Sequence, residues 1–166
     1  MHSLIFFGTL RSKKLLKSVI GKNIDHLQII DSKLNKFKLF KVKNENFPYL
    51  NKTNSDKDII KCTYIKNLTK DNFDKILFYE SVEYKLSKIN IFVSGKIIKA
   101  NFFELINKNK TNINWSFEKW QIKYEEQSCI AAKEWMLLFN NYKNIPEKAE
   151  LFWTKMKEKA KIKKNK

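Results

Sequence analysis

Arginine, glycine, proline, cysteine and histidine are all scarce in this chain, and each scarcity narrows what it can be. The two cysteines, Cys62 and Cys129, lie far apart with no CxxC or other ligand spacing, which argues against a disulfide framework and against a zinc site. They read as buried thiols acting as small hydrophobes. His2 and His26 are the only imidazoles, so neither a metal centre nor a Ser-His-Asp triad has support. His2 reads as part of a fraying terminus and His26 as a strand or turn residue. No apolar run approaches the roughly 18 residues that a membrane helix needs. Residues 1–8 lack the length, basic start and cleavage site of a signal peptide. A cytoplasmic protein with no membrane partner is the expectation.

Arg11 is the one arginine beside 33 lysines; with 17 Asp plus Glu the formal net charge is +17. The lysines are spread through nearly every segment, alongside heavy use of Asn and Ile. A phosphate-binding surface usually relies on Arg for bidentate contacts and gathers its charge on one face. The excess therefore reads as surface composition, and no specific nucleic-acid partner is expected. Seven lysines with a single acid, Glu158, concentrate in residues 155–166. That stretch reads as a solvated, frayed tail, with a salt-sensitive tether to RNA or to an anionic membrane as the alternative. A hydrophobic fraction of 43% with 14% aromatics is enough for a folded core, and 166 residues make one domain. That domain divides into an α/β core over residues 1–110, helices over 114–160 and a basic tail over 161–166.

With three Gly and two Pro, every backbone punctuation mark is informative. Leu4, Ile5, Phe6 and Phe7 form an apolar run that reads as a buried strand ending at Gly8. Thr9 and Leu10 follow as a loop, and residues 11–20 carry Leu15, Leu16, Val19 and Ile20 at helical spacing, closed by Gly21. Partial alternation predicts one or two strands over 27–42, an extended piece at 47–50 around Pro48, and a strand over 59–65. Thr69 caps a short helix bearing Phe73, Ile76 and Leu77. Residues 84–93 and 96–105 pair as a hairpin across Ser94-Gly95. Ser116 caps a long helix, or two joined ones, with an apolar stripe through Trp120, Ala131 and Trp135. Pro146 opens a further helix carrying Ala149, Phe152, Trp153 and Met156. The four Trp all lie in this last third and read as packing against the β layer.

Two stretches carry chemistry. Phe6-Phe7-Gly8-Thr9-Leu10-Arg11 is a strand ending in small residues before a helix, a geometry that can point backbone N–H groups into a cavity. Tyr79-Glu80-Ser81-Val82-Glu83-Tyr84 sets a carboxylate among aromatic and aliphatic neighbours. Desolvation there would disfavour its ionised form and move it toward the range useful for general base work. Glu83 is a competing carboxylate that need not face the same cleft.

Together these stretches resemble the gamma-glutamylcyclotransferase-like family, the avirulence-induced-gene-like superfamily. Its members open with a strand and Tyr-Gly-Ser/Thr-Leu and carry a Glu in a pattern like Leu-Asp-x-Tyr-Glu-Gly followed closely by Tyr. The order of elements matches as well, with the aromatic-Pro-x-Leu stretch at 47–50. The likeness covers roughly residues 3–106, and the Trp-rich helices beyond resemble the extension of a bacterial subgroup. The resemblance implies an α+β fold, a mixed β-sheet or barrel with short helices followed by C-terminal helices. It also implies cyclisation of a γ-glutamyl group to 5-oxoproline with release of an amine or amino acid, without a cofactor. Glu80 would be the general acid/base, and Phe7, Gly8, Thr9, Leu10 and Tyr84 would bind the small γ-glutamyl substrate. Phe7 stands where the family has Tyr, Leu77 where it has Asp, and Ser81 where it has Gly. Two other readings stand beside this one: a metabolite- or protein-binding domain of the same fold without turnover, and a nonspecific nucleic-acid binder. Which γ-glutamyl compound is used, and the oligomeric state, stay open.

Overall fold

The computed structural model describes residues 2–21, 24–80, 83–106 and 109–164. Ser81 lies outside the described residues, as do the last two residues of the basic stretch. Five strands, β1 (His2–Phe6), β2 (Gln28–Asn35), β5 (Ile59–Leu68), β6 (Tyr84–Val93) and β7 (Lys96–Leu105), close a barrel in the order β1-β5-β2-β6-β7. All pairings are antiparallel except β1 with β7, which run parallel through Leu4 and Asn101. A smaller sheet, ordered β4-β3-β8, is built from β3 (Phe37–Val42), β4 (Pro48–Lys52) and β8 (Lys110–Asn114). The β6–β7 hairpin turns at Ser94 and Gly95, with φ of 49° and 83°. Two successive left-handed residues are what a two-residue hairpin turn requires.

β1 explains its own apolar run. Side chains alternate across a strand, and here both faces are covered. Leu4 and Phe6 pack with the helices, beside Leu15, Leu16, Ile76 and Trp120. Ile5 and Phe7 pack with Leu34, Cys62, Ile91 and Ala100 from the other barrel strands. Burying each such side chain contributes about 1.5–3 kcal/mol, so the site sits beside one of the best-anchored strands.

A 3₁₀ turn (Thr9–Arg11) follows β1, and α1 (Lys13–Ile20) starts two residues later than the periodicity suggests. The reason is Ser12, whose Oγ accepts the Leu15 N–H at 3.0 Å and so caps the helix at that point. Gly21 ends it with φ 103°. Thr69 Oγ accepts the Asn72 N–H at 3.2 Å to cap α2 (Lys70–Glu80). Ser116 caps α3 (Phe117–Met136), a single helix of 20 residues.

After α3 the chain departs from expectation. The helix opened by Pro146 is broken at residues 151–152 into α5 (Pro146–Glu150) and α6 (Trp153–Lys164), preceded by a short α4 (Phe139–Tyr142) that the sequence did not signal. The basic stretch is not frayed over residues 155–164; it is the body of α6. Met156 and Ala160, four residues apart, are buried, and Lys157 and Lys163 pair with Glu45 and Glu134. His2 is likewise held rather than frayed, paired with Leu68 and stacked on Phe73 with ring centroids 4.3 Å apart. β8 carries one apolar residue in five, too few for an alternation to show. Both cysteines are buried free thiols, and burial pushes the Cys62 thiol up to about 11. Among the described residues no helix is long and apolar enough to cross a membrane.

Candidate active site

Glu80 is the last residue of α2, and Gly8 lies between β1 and the 3₁₀ turn. The fold brings both places into the lining of one cavity of about 80 Å³. Phe7, Gly8, Thr9 and Leu10 line it together with Tyr79, Glu80, Glu83 and Tyr84. All six residues singled out from the sequence therefore meet in a single space. Phe47, Pro48, Phe103, Trp135 and Trp153 complete most of its wall.

Gly8 is required by close approach. A Cβ at this position would sit 2.9 Å from Pro48 Cγ and 3.1 Å from its Cδ, inside any tolerable contact. Pro48 is held from its other side by the Tyr84 hydroxyl, which donates to the Pro48 carbonyl at 2.6 Å. That hydroxyl is thereby committed to the cavity wall. Buried Tyr84 and Pro48 thus set the floor against which the Gly8 backbone rests. The turn's own hydrogen bonds run from Arg11 N–H to Gly8 O and from Ser12 N–H to Thr9 O. They consume no N–H of Gly8, Thr9 or Leu10, as expected for the opening of a helical turn.

None of the lining side chains is cationic. Burial without a counter-charge disfavours ionisation, and it pushes the Glu80 carboxyl up to about 8. Burial, reinforced by the Glu80 charge, likewise raises the Tyr79 and Tyr84 phenols well above their usual range. Glu83 faces this same cavity, contrary to the freedom its spacing allowed. Glu83 N–H donates to Glu80 O at 3.3 Å, which holds residue 83 beside residue 80. Leu77 is half-buried and packs on the core that β1 shares with the helices.

Trp135 and Trp153 are the residues that sequence reasoning missed. Both belong to the C-terminal helices and were expected only to pack on the β layer. Trp135 does pack, stacked on Phe78 at 5.3 Å and edge-on to Trp153 at 5.3 Å, but both also close the cavity. Helical periodicity reports which face is covered, not whether a void lies under it, so nothing in the stripe separated these two from the rest.

No protein-family model matches the chain, and no curated protein matches it. Solved structures do. One described as gamma-glutamyl cyclotransferase superposes with a TM-score of 0.51 at 12% identity, covering 88% of this chain and 87% of that one. The chain has the gamma-glutamyl cyclotransferase fold. An Arabidopsis thaliana protein matches with a TM-score of 0.56 at 15% identity, covering 86% of each chain. A Homo sapiens protein described as uncharacterized gives 0.53 at 12% identity, covering 89% of this chain and 88% of that one. Such coverage exceeds the barrel, whose last strand ends at Leu105, so the gamma-glutamyl cyclotransferase fold accommodates part of the C-terminal helices as well.

Proposed function

We propose that the chain is a gamma-glutamyl cyclotransferase, releasing an amine or amino acid from a γ-glutamyl amide as 5-oxoproline forms. The observation that carries this reading is Glu80, a desolvated carboxyl, lining the same cavity as residues 8–10. In the reaction the ionised Glu80 takes a proton from the substrate's α-ammonium. The amine nitrogen then attacks the γ-carbonyl carbon and closes a five-membered ring. Backbone N–H groups of Gly8, Thr9 and Leu10 hold the oxyanion that develops. Glu80 returns its proton to the departing nitrogen as the old C–N bond breaks, and the second proton of the ring nitrogen passes through the carboxylate to the released amine, which leaves as its ammonium. The ring closure is intramolecular, so orientation between the aromatic walls supplies much of the acceleration. A substrate ammonium beside Glu80 supplies the positive charge that the lining lacks, and its arrival favours the ionised carboxylate.

A panel of γ-glutamyl amino acids, γ-glutamylamines and glutathione, assayed for 5-oxoproline, tests the reading. Turnover of at least one member, lost in Glu80→Gln, is expected; a panel with no turnover rejects it. One observation favours a second reading, a binding domain without turnover. Phe7 offers no hydroxyl and the Tyr84 hydroxyl is spent on Pro48, so neither supplies substrate with a side-chain donor. Saturable binding of 5-oxoproline by a protein inert on the whole panel would select it.

A further inference from the structure

We propose that the groove beside Arg11 is a binding site for a dianionic phosphate, free or as a small phosphate monoester. The groove, of about 350 Å³, opens beside Arg11 at the end of the 3₁₀ turn, among residues 37–39 of β3, residues 57–61 and the start of α3. Arg11 is the only arginine among 34 basic residues. Its guanidinium lies 4.4 Å over the Phe117 ring, and its Nε is buried with no hydrogen-bond partner. Among the described residues that guanidinium makes no hydrogen bond and no ion pair. A planar fork of five donors, fixed by stacking and left unpartnered, is suited to an oxyanion.

The charges around it set the valence. Lys38 is paired with Asp58 at 3.2 Å and drops out of the balance. Glu118 remains, anchored by Ser116 Oγ at 2.9 Å. Hydrogen bonds from its own backbone N–H and from Ser116, then the Arg11 and Lys61 charges, hold the Glu118 carboxyl below its usual range, so Glu118 offsets one cation. Among the residues lining the groove, Arg11, Lys57 and Lys61 against Glu118 leave two positive charges, while Asp31, outside the lining, also acts on Arg11; neither Lys57 nor Lys61 is in an ion pair among the described residues. A phosphate monoester carries about −1.5 to −2 at neutral pH, which matches that surplus where a single carboxylate does not. The capped start of α3 also lines the groove and adds its positive dipole end. Burial depresses the Arg11 pKa, so its charged form lacks solvation that an anion would restore.

The test is calorimetric titration at 150 mM KCl with inorganic phosphate, glycerol phosphate and acetate. Wild type is expected to bind at least one of the two phosphate probes saturably, and acetate at least tenfold more weakly. Arg11→Lys keeps the charge and loses the fork, and should weaken binding tenfold or more. Lys61→Gln, at an exposed strand position, gives a second readout should Arg11→Lys disturb folding, and is expected to weaken binding at least threefold. Lys96→Gln, in the distant β6–β7 hairpin, should change it less than twofold. Tighter glycerol phosphate than inorganic phosphate identifies a monoester as the ligand, and the reverse identifies free phosphate. The proposal is overturned if neither phosphate binds saturably up to 10 mM, if acetate binds equally well, or if Lys96→Gln weakens binding as much as the groove variants do. Binding confined to long RNA, equally sensitive to every lysine removed, also overturns it, because that is diffuse polyelectrolyte attraction.

Discussion

Residues 8–10 face a cavity whose ionisable side chains are two carboxyls and two phenols, whereas the next residue, Arg11, faces a groove with surplus positive charge. The two spaces share one 3₁₀ turn and differ in what surrounds the charge. On the Glu80 side, mostly aromatic walls offer no cation, and burial raises the carboxyl so that it holds its proton up to about pH 8. On the Arg11 side the groove is open and lysine-lined, and a guanidinium cannot shed its charge at any physiological pH. A dry, uncompensated group suits proton transfer; a fixed, unpartnered charge suits binding.

The contrast breaks most severely at Glu80. Glu80→Gln should lower kcat/KM for 5-oxoproline release by about 10²–10⁴-fold, whereas Glu83→Gln should cost less than about tenfold. Kinetics of both variants on the best substrate of the panel check this, and equal losses would reassign the acid/base role to the pair. Next comes the wall. Trp135→Ala should destabilise the fold by about 3–5 kcal/mol, measured by urea unfolding, because it removes a buried ring that joins the cavity to the helices. Gly8→Ala should cost about 1–3 kcal/mol through overpacking on Pro48, with activity falling as the turn shifts. Part of that loss should return in the double variant Gly8→Ala, Pro48→Ala, and a double-mutant cycle measures the coupling.

The smallest effect is a pH dependence of stability. With a folded pKa of about 8 against an ordinary 4.5, the folded state holds more protons than the unfolded state between those values. Glu80 therefore costs no stability below pH 4.5, costs progressively more as the pH rises toward 8, and levels off above it. Glu80→Gln should match wild type near pH 4.5 and exceed it at pH 9, by on the order of 1–3 kcal/mol after solvent screening. Chemical denaturation at the two pH values checks the sign.

The legible parts of the molecule were those whose pattern is local. The apolar run of β1, the Ser94-Gly95 turn, the Thr69 and Ser116 caps and the Gly8-to-helix transition all report on residues within one or two turns of themselves. Glu80 and residues 8–10 could be paired only through the resemblance, since residues 11–79, with two helices and strands of both sheets, separate them. Pro48 was visible as part of an extended piece, but its contact with Gly8 depends on the small sheet docking beside the barrel. Trp135 and Trp153 were misjudged because a cavity-lining ring and a core ring have the same helical spacing. α6 was misjudged past Met156 because seven lysines in residues 155–166 conceal Ala160, which lies four residues beyond Met156 and is buried with it.

The central claim is that a desolvated Glu80 moves the proton in γ-glutamyl cyclisation, and the pH profile of kcat/KM tests it most directly. Wild type should show a rate of 5-oxoproline formation that rises with pH through a midpoint near 8, and Glu80→Gln should lack both the rate and that limb. A wild-type profile flat from pH 6 to 9, or a Glu80→Gln variant that keeps the same rising limb, would contradict it.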